Sequence, residues 1–395
     1  MVWRLREMRR KVMTALMAGT LIGLAALAGP PPTSATEDTF YISAGTIAVG
    51  GSCNDPDVNY NPVNGLEPSL LAVYGNEDFG TGDTIILCDN GVGIDYVFES
   101  NTPSQDIASK EITITGESGQ EVVLDAVGFD PFSFANGTLN IQNLVIQDAG
   151  TAITMSGTPT LNVTDVTFED GADVDDIVTG QSIDSSGIVS VVGSTFTHNY
   201  SSGSGGAIYV SNAVSVTITD SRFDGNTSGN SGGAIYAASI ENLTIESNQF
   251  QRNTAAGQGG AIRVQWGTGG TSITRNTFTE NSAEQGGAVS INDGEVDSYL
   301  WSVSRNTFTK NRATLNGGAL HMALDNSGNV VTPNVKRNRF RGNSAPAAGA
   351  VVVESDYGTG RAILKRYERG LRGNSFQANR GTRDRRSANI GVHFD

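Results

Sequence analysis

Two acidic stretches and three histidines are the residues whose types could carry proton chemistry. Asp173, Asp175 and Asp176 lie together, as do Asp293, Glu295 and Asp297. Paired carboxylates serve sugar hydrolysis as acid and base or as nucleophile, and an acidic cluster holding Ca²⁺ beside a Lys, Arg, Tyr or His can remove a proton from a uronate. Both stretches read as solvated turns. Of His198, His321 and His393, only His321 stands in a regular row. That row is the residue following the apolar position of recurring Gly-Gly-Ala segments: Tyr209, Tyr236, Arg263, Ser290, His321 and Val352. Aromatic, cationic and imidazole groups in one row offer a platform for sugar rings or an extended polymer. The same row also reads as a ladder that stabilises a sheet surface.

The segments that carry this row repeat. Gly-Gly-Ala followed by Ile, Val or Leu begins at Gly205, Gly232, Gly259, Gly286 and Gly317, with a worn copy at Ala348. Phe-x-x-Asn recurs at Phe196, Phe223, Phe250, Phe278, Phe308, Phe340 and Phe376. A fixed period of this size means a solenoid, and alternation such as AVSVTITDSRF from Ala213 means short strands. Each strand must then pair with its equivalent one period later, which gives parallel sheets. Phe in successive coils is expected to stack inside, and Asn three residues later to hold a corner with its side chain, tolerating left-handed dihedrals. Asn248, Asn276, Asn306, Asn338 and Asn374 suggest a second corner ladder, and the paired glycines a bend that tolerates no Cβ.

The spacing from Phe to the next Gly-Gly position stays at 8 or 9 residues, whereas from Gly-Gly to the next Phe it grows from 18 to 28 along the chain. All insertions therefore fall on one side, in Asn292–Trp301, Leu324–Asn334 and Glu354–Gly370. Loops that lengthen on one face of a repeat protein often line a binding surface.

GGAI combined with FxxN resembles the repeats of the chlamydial polymorphic outer membrane proteins and related autotransporter passenger domains, within the broad pectate-lyase-like class. The motifs cover residues 196–379, about half of the mature chain. The resemblance implies an all-β, right-handed single-stranded parallel β-helix with a short disulfide-linked N-terminal cap. Residues 53–88, ending in GDTIIL, are similar to the cap of secreted bacterial β-helix proteins, in which a short helix precedes the first strand. EPSLLAVYG from Glu67 would supply that helix. Autotransporters continue into a membrane barrel, but no series of amphipathic barrel strands is read here after the repeats. An enzyme of this class would cleave polysaccharide, with Ca²⁺ as cofactor if it were a lyase. The Asp and Gly-His-Gly signatures of the polygalacturonases are not found.

Arg4, Arg6, Arg9, Arg10 and Lys11 precede an uncharged, largely apolar stretch from Val12 to Gly29 and then Pro30–Pro32, the layout of a secretory signal over residues 1–35. Residues 36–82 form the cap segment and residues 83–395 the β-helix, whose drifted early coils begin near Lys110, Gly137 and Thr158. Cys53 and Cys88 in an exported chain imply one disulfide, with metal binding by two thiols a poor second.

Charge is uneven along the chain: residues 37–300 hold 5 basic and 34 acidic residues, while residues 301–395 hold 16 basic and 6 acidic. The acidic body does not suit nucleic acid or anionic lipid, whereas the basic end could touch an anionic polymer. The expected protein is a secreted or cell-surface, non-catalytic adhesion or matrix-binding module with no cofactor and no transmembrane segment in the mature chain. Its partner is an extracellular polysaccharide or surface polymer, bound through Tyr209, Tyr236, Arg263 and His321. The alternative is a secreted polysaccharide lyase or glycosidase acting on an extracellular polysaccharide, an acidic one included, with His321 as its best-placed histidine.

Overall fold

Alternating short strands bury every second side chain, so a strand such as Ser215–Thr219 hides Val216 and Ile218 and turns Ser215, Thr217 and Thr219 outward. Three such strands and a fourth, shorter one make a coil, and the coil repeats. The computed structural model describes residues 39–43, 46–49, 53, 81–89, 96–98, 105–107, 110–170, 178–183, 187–265, 270–293, 302–324, 334–355, 371, 373–381 and 390–394. The proposed signal over residues 1–35, the helix from Glu67, the Asp173–Asp176 stretch, Glu295, Asp297 and most of the three lengthened connections lie outside the described residues.

The strands stack into sheets of 12, 11, 11 and 7 strands. The first runs from Thr39–Ser43 through Ser215–Thr219 to Val335–Lys336, and is parallel apart from the hairpin partner Thr46–Val49 at its start. The second carries the phenylalanines, from Tyr96–Val97 to Ser375–Gln377, and is called the Phe sheet below. The third, from Gln105–Asp106 to Ile390–Phe394, carries Tyr209 and Tyr236 and is the Tyr sheet. The short fourth sheet joins the corner asparagines to the glycine pairs. Each strand pairs with its equivalent one period on, as in Phe196↔Phe223 and Phe223↔Phe250. The fold is thus a parallel β-solenoid, and the earlier coils with drifted motifs belong to it: Phe168 pairs with Phe196, and Ile146 with Phe168.

The interior matches the repeat. Eight phenylalanine rings from Phe168 to Phe376 stack at 4.7–5.1 Å between centroids, with neighbouring planes within 11°. Both asparagine ladders form. Asn253 accepts hydrogen bonds from the backbone N and Nδ2 of Asn226 and donates from its Nδ2 to the Phe223 carbonyl and to Asn281 Oδ1. The left-handed residue at each corner, however, is the one before the asparagine, as at Arg252 (φ 53°) and Arg275 (φ 59°). The asparagine's work is hydrogen bonding, and the bend falls on its neighbour.

At the glycine pair the reason for having no side chain is plain. Gly232 adopts φ 69°, and a Cβ on Gly233 would meet the Gly260 carbonyl oxygen at 2.1 Å. At the N-terminal end Cys53 and Cys88 form the expected disulfide, with 5.5 Å between their Cα atoms, so neither is a free thiol for a metal. No helix among the described residues is long and apolar enough to cross a membrane.

Candidate functional site

The row Tyr209, Tyr236, Arg263, Ser290, His321 and Val352 lies in exact register across six strands of the Tyr sheet, each residue paired with the next. It points away from the core column that runs beside it through Ile208, Ile235, Ile262, Val289, Leu320 and Val351. Sequence reasoning expected the whole row to face solvent. The structure divides it. Tyr209 and Tyr236 are half-buried, but Arg263 is 5% exposed, Ser290 and Val352 0% and His321 1%.

The two tyrosine rings stack on each other at 5.2 Å and 8°. Their faces are therefore turned to one another along the sheet. The Tyr236 hydroxyl donates to Gln265 Oε1 at 2.7 Å. Burial raises the pKa of this phenol above its ordinary value, the adjacent Tyr209 adds to the shift and Arg263 offsets part of it. Tyr236 is thus a neutral hydrogen-bonding group at physiological pH.

Below them the row becomes a buried polar chain. Arg263 donates to Ser290 Oγ at 2.8 Å, Ser290 Oγ lies 3.2 Å from His321 Nδ1, and Ser290 Oγ also donates to Gln258 Oε1 at 3.4 Å. His321 Nε2 sits 3.0 Å from Glu354 Oε2 without making an aligned hydrogen bond. Asn316 Nδ2 donates to Glu354 Oε1 at 2.8 Å and Gln258 Nε2 to Gln285 Oε1 at 2.8 Å. Gln258, Gln285 and Asn316 each immediately precede a glycine pair, so this second polar column could have been read from the repeat and was missed. Glu354 could have been found the same way, two residues beyond the row.

A serine, a histidine and a carboxylate in contact have the composition of a nucleophilic relay. Here the serine oxygen is wholly enclosed and already shared among Arg263, His321 and Gln258. No substrate atom reaches it, and the relay is a structural ladder.

Desolvation lowers the Arg263 guanidinium below its ordinary value, to about 10, and Tyr236 returns only part of the loss. A cation with a depressed folded pKa destabilises the fold at every pH below that value, and the penalty is relieved as pH rises through it. Arg263→Met is therefore expected to raise stability at pH 7 by about 1–3 kcal/mol, with the gain shrinking above about pH 10. Thermal melting at both pH values checks this, and a melting temperature that drops at pH 7 would show the charge to be compensated.

A family model described as a right handed beta helix region matches residues 132–296. The solenoid is right-handed. The matched stretch takes in the Phe sheet from Val145–Gln147 to Thr277–Thr279 and the row from Tyr209 to Ser290. No curated protein matches the chain, and no solved structure does. A right-handed β-helix supports pectate-lyase-like or surface-binding roles in general, and its disulfide is compatible with an extracellular setting.

Proposed function

We propose that this protein is an exported, non-catalytic surface or matrix module, akin to the outer-membrane repeats its motifs resemble, that holds an extended carbohydrate or similar polymer against the Tyr sheet. The observation that carries this reading is the division of the row by depth. The groups able to move protons, His321 and Ser290, are enclosed and held by one another, whereas the two tyrosines are only half-buried. That arrangement can hydrogen-bond a polymer's hydroxyls and offers no acid or base to its backbone. In sequence the lengthening connections follow later strands of this same sheet, Val289–Asp293, Leu320–Leu324 and Val351–Ser355.

Replacing both Tyr209 and Tyr236 with Ser removes the accessible groups. Folding should weaken only by about 1–2 kcal/mol, the size of a lost aromatic pair on a half-buried surface. Binding to whichever neutral glycan a panel of neutral and acidic polysaccharides selects should fall at least about tenfold, or about 1.4 kcal/mol. The panel is read for retained polymer and for new reducing or unsaturated ends. Unchanged binding by the double variant moves the site away from the Tyr sheet, and steady release of new ends identifies a lyase or glycosidase instead.

A further inference from the structure

The Phe sheet and its two flanking corners reverse their charge along the chain. In the corner column that leads into the Phe sheet, Asp165, Gly193, Asp220 and Ser247 are followed by Arg275, Arg305 and Arg337, every one with positive φ. Outward positions of the sheet change in the same sense, from Thr167 and Glu169 to Arg339 and Arg341 at the equivalent places. Among the described residues from 302 to 381 there are eight Lys and Arg: Arg305, Lys310, Arg312, Lys336, Arg337, Arg339, Arg341 and Arg380. All eight are exposed, and the only carboxylate in that stretch, Glu354, lies on the Tyr sheet against His321. Lys310 pairs with Glu280, while Arg305, Arg337, Arg339 and Arg341 have no side-chain partner among the described residues.

Two features make this patch more than a solvated end. Successive coils lie about 4.8 Å apart, so like charges in adjacent strands repel, and the patch costs stability while it stands alone. Arg305 and Arg337 also occupy left-handed corners, φ 58° and 59°, where glycine or asparagine is the less strained choice. The fold thus tolerates strain and repulsion to hold cations in register.

We propose that this basic face of the last coils binds an acidic polysaccharide, carboxylated or sulfated, by ion pairing. The site is separate from the Tyr sheet and does not rest on it. Its chemistry selects the partner. Between and beside the arginines stand Thr307, Thr309, Ser344, Ser375 and Gln377, and the Phe-sheet strands from Thr307–Thr309 to Ser375–Gln377 carry no exposed aromatic or large apolar side chain; exposed Val97 lies at the other end of this sheet and exposed Leu315 on the fourth sheet. A protein partner would need an apolar anchor there, and single-stranded nucleic acid would need rings on which to stack its bases. A long duplex would meet the acidic coils of the same face, where Asp125, Asp148 and Asp170 crowd together and, with burial first, raise the Asp148 carboxyl above its ordinary pKa. A hydrated acidic glycan needs only the cations, and it can end or turn away before the carboxylates begin.

The test measures binding of the full chain to heparin, to polygalacturonate and to a short DNA duplex across a range of salt, with light scattering of the protein alone. The variant is Arg337→Glu, Arg339→Glu, Arg341→Glu; Glu280 already occupies a left-handed corner of the same kind, so glutamate is compatible with the bend. A second variant, Arg305→Gln with Arg312→Gln, guards against misfolding of the first. At least one glycan should bind with affinity that falls steeply with salt, and the triple variant should lose about tenfold or more while the Tyr209→Ser, Tyr236→Ser protein keeps it. Four results overturn the proposal. They are glycan binding that the arginine variants leave unchanged, duplex binding as tight as that of either glycan, no glycan binding at low salt, and a salt-sensitive dimer of the protein alone that the triple variant abolishes. The last would assign the face to the acidic coils of a second copy.

Discussion

Asn253→Ala should destabilise the solenoid by about 3–5 kcal/mol, although the side chain removed is small and polar. Asn253 is 0% exposed and stands in the middle of a ladder that runs from Asn199 to Asn379. Its Oδ1 accepts two hydrogen bonds from Asn226, and its Nδ2 satisfies the Phe223 carbonyl and Asn281 Oδ1, at 2.9–3.0 Å throughout. Truncation takes these partners from the Asn226 backbone N–H and the Phe223 carbonyl, while Asn226 Nδ2 keeps the Phe196 carbonyl and Asn281 Oδ1 keeps the backbone N–H of residue 253; each buried orphan costs about 1–3 kcal/mol before relaxation. Relaxation is limited, because every neighbour is held by the next rung. Asn253→Asp should be worse than Ala: it keeps the acceptor but places a carboxylate against the Phe223 carbonyl and Asn281 Oδ1. Asn379→Ala, at the last described rung, should cost less than Asn253→Ala, since Asn379 is 8% exposed and its side chain makes three ladder bonds among the described residues where Asn253 makes four. Urea unfolding of the three variants checks the order, and a loss under about 1 kcal/mol for Asn253→Ala would mean that water replaces the rung.

The contrast between that ladder and the tyrosine row shows what the chain makes legible. Phe, Asn and Gly-Gly recur at fixed intervals because each fills an identical site in each coil, so period and residue type together gave the sheets, the corners and the stack. The same logic recovered the Cys53–Cys88 pair and placed Phe168 one coil before Phe196. It misassigned the bend at the corners, because an asparagine beside a left-handed turn invites the left-handed role, while the bend itself falls on Arg252, Glu280 and Lys310. It also treated the Tyr-sheet row as uniformly exposed. Alternation tells which way a side chain points, but depth depends on what lies over it, and the groups around Arg263 and His321 come from other parts of the repeat. Gln258 reaches the row from before the glycine bend and is held by Gln285, and Glu354 reaches it from the following coil and is held by Asn316. Outward and exposed are different properties. In this row they coincide only at the two tyrosines.

The second large effect is expected at Phe250. The ring is 1% exposed and stacks between Phe223 at 4.8 Å and Phe278 at 4.9 Å, so Phe250→Ala removes a buried side chain and two ring contacts at once. Emptying such a site costs about 3–5 kcal/mol, in the usual range for a buried aromatic cut to alanine. The surroundings cannot close the gap: Phe223 and Phe278 are fixed by strand pairing on either side of the missing rung. Phe250→Leu keeps most of the volume and should cost about 1–2 kcal/mol, mainly the lost stacking and a change of shape. Position along the ladder supplies the control. Phe376, half-buried at the end of the described stack with Phe340 as its one ring neighbour among the described residues, should lose clearly less when cut to alanine than Phe250 does. In a solenoid each coil is stabilised chiefly by the two beside it, so a central gap can also split the unfolding transition into two. Circular dichroism and intrinsic fluorescence followed through the same denaturant series detect that split. If Phe376→Ala cost as much as Phe250→Ala, the stack would be acting as one cooperative column, and nearest-neighbour coupling would not describe this fold.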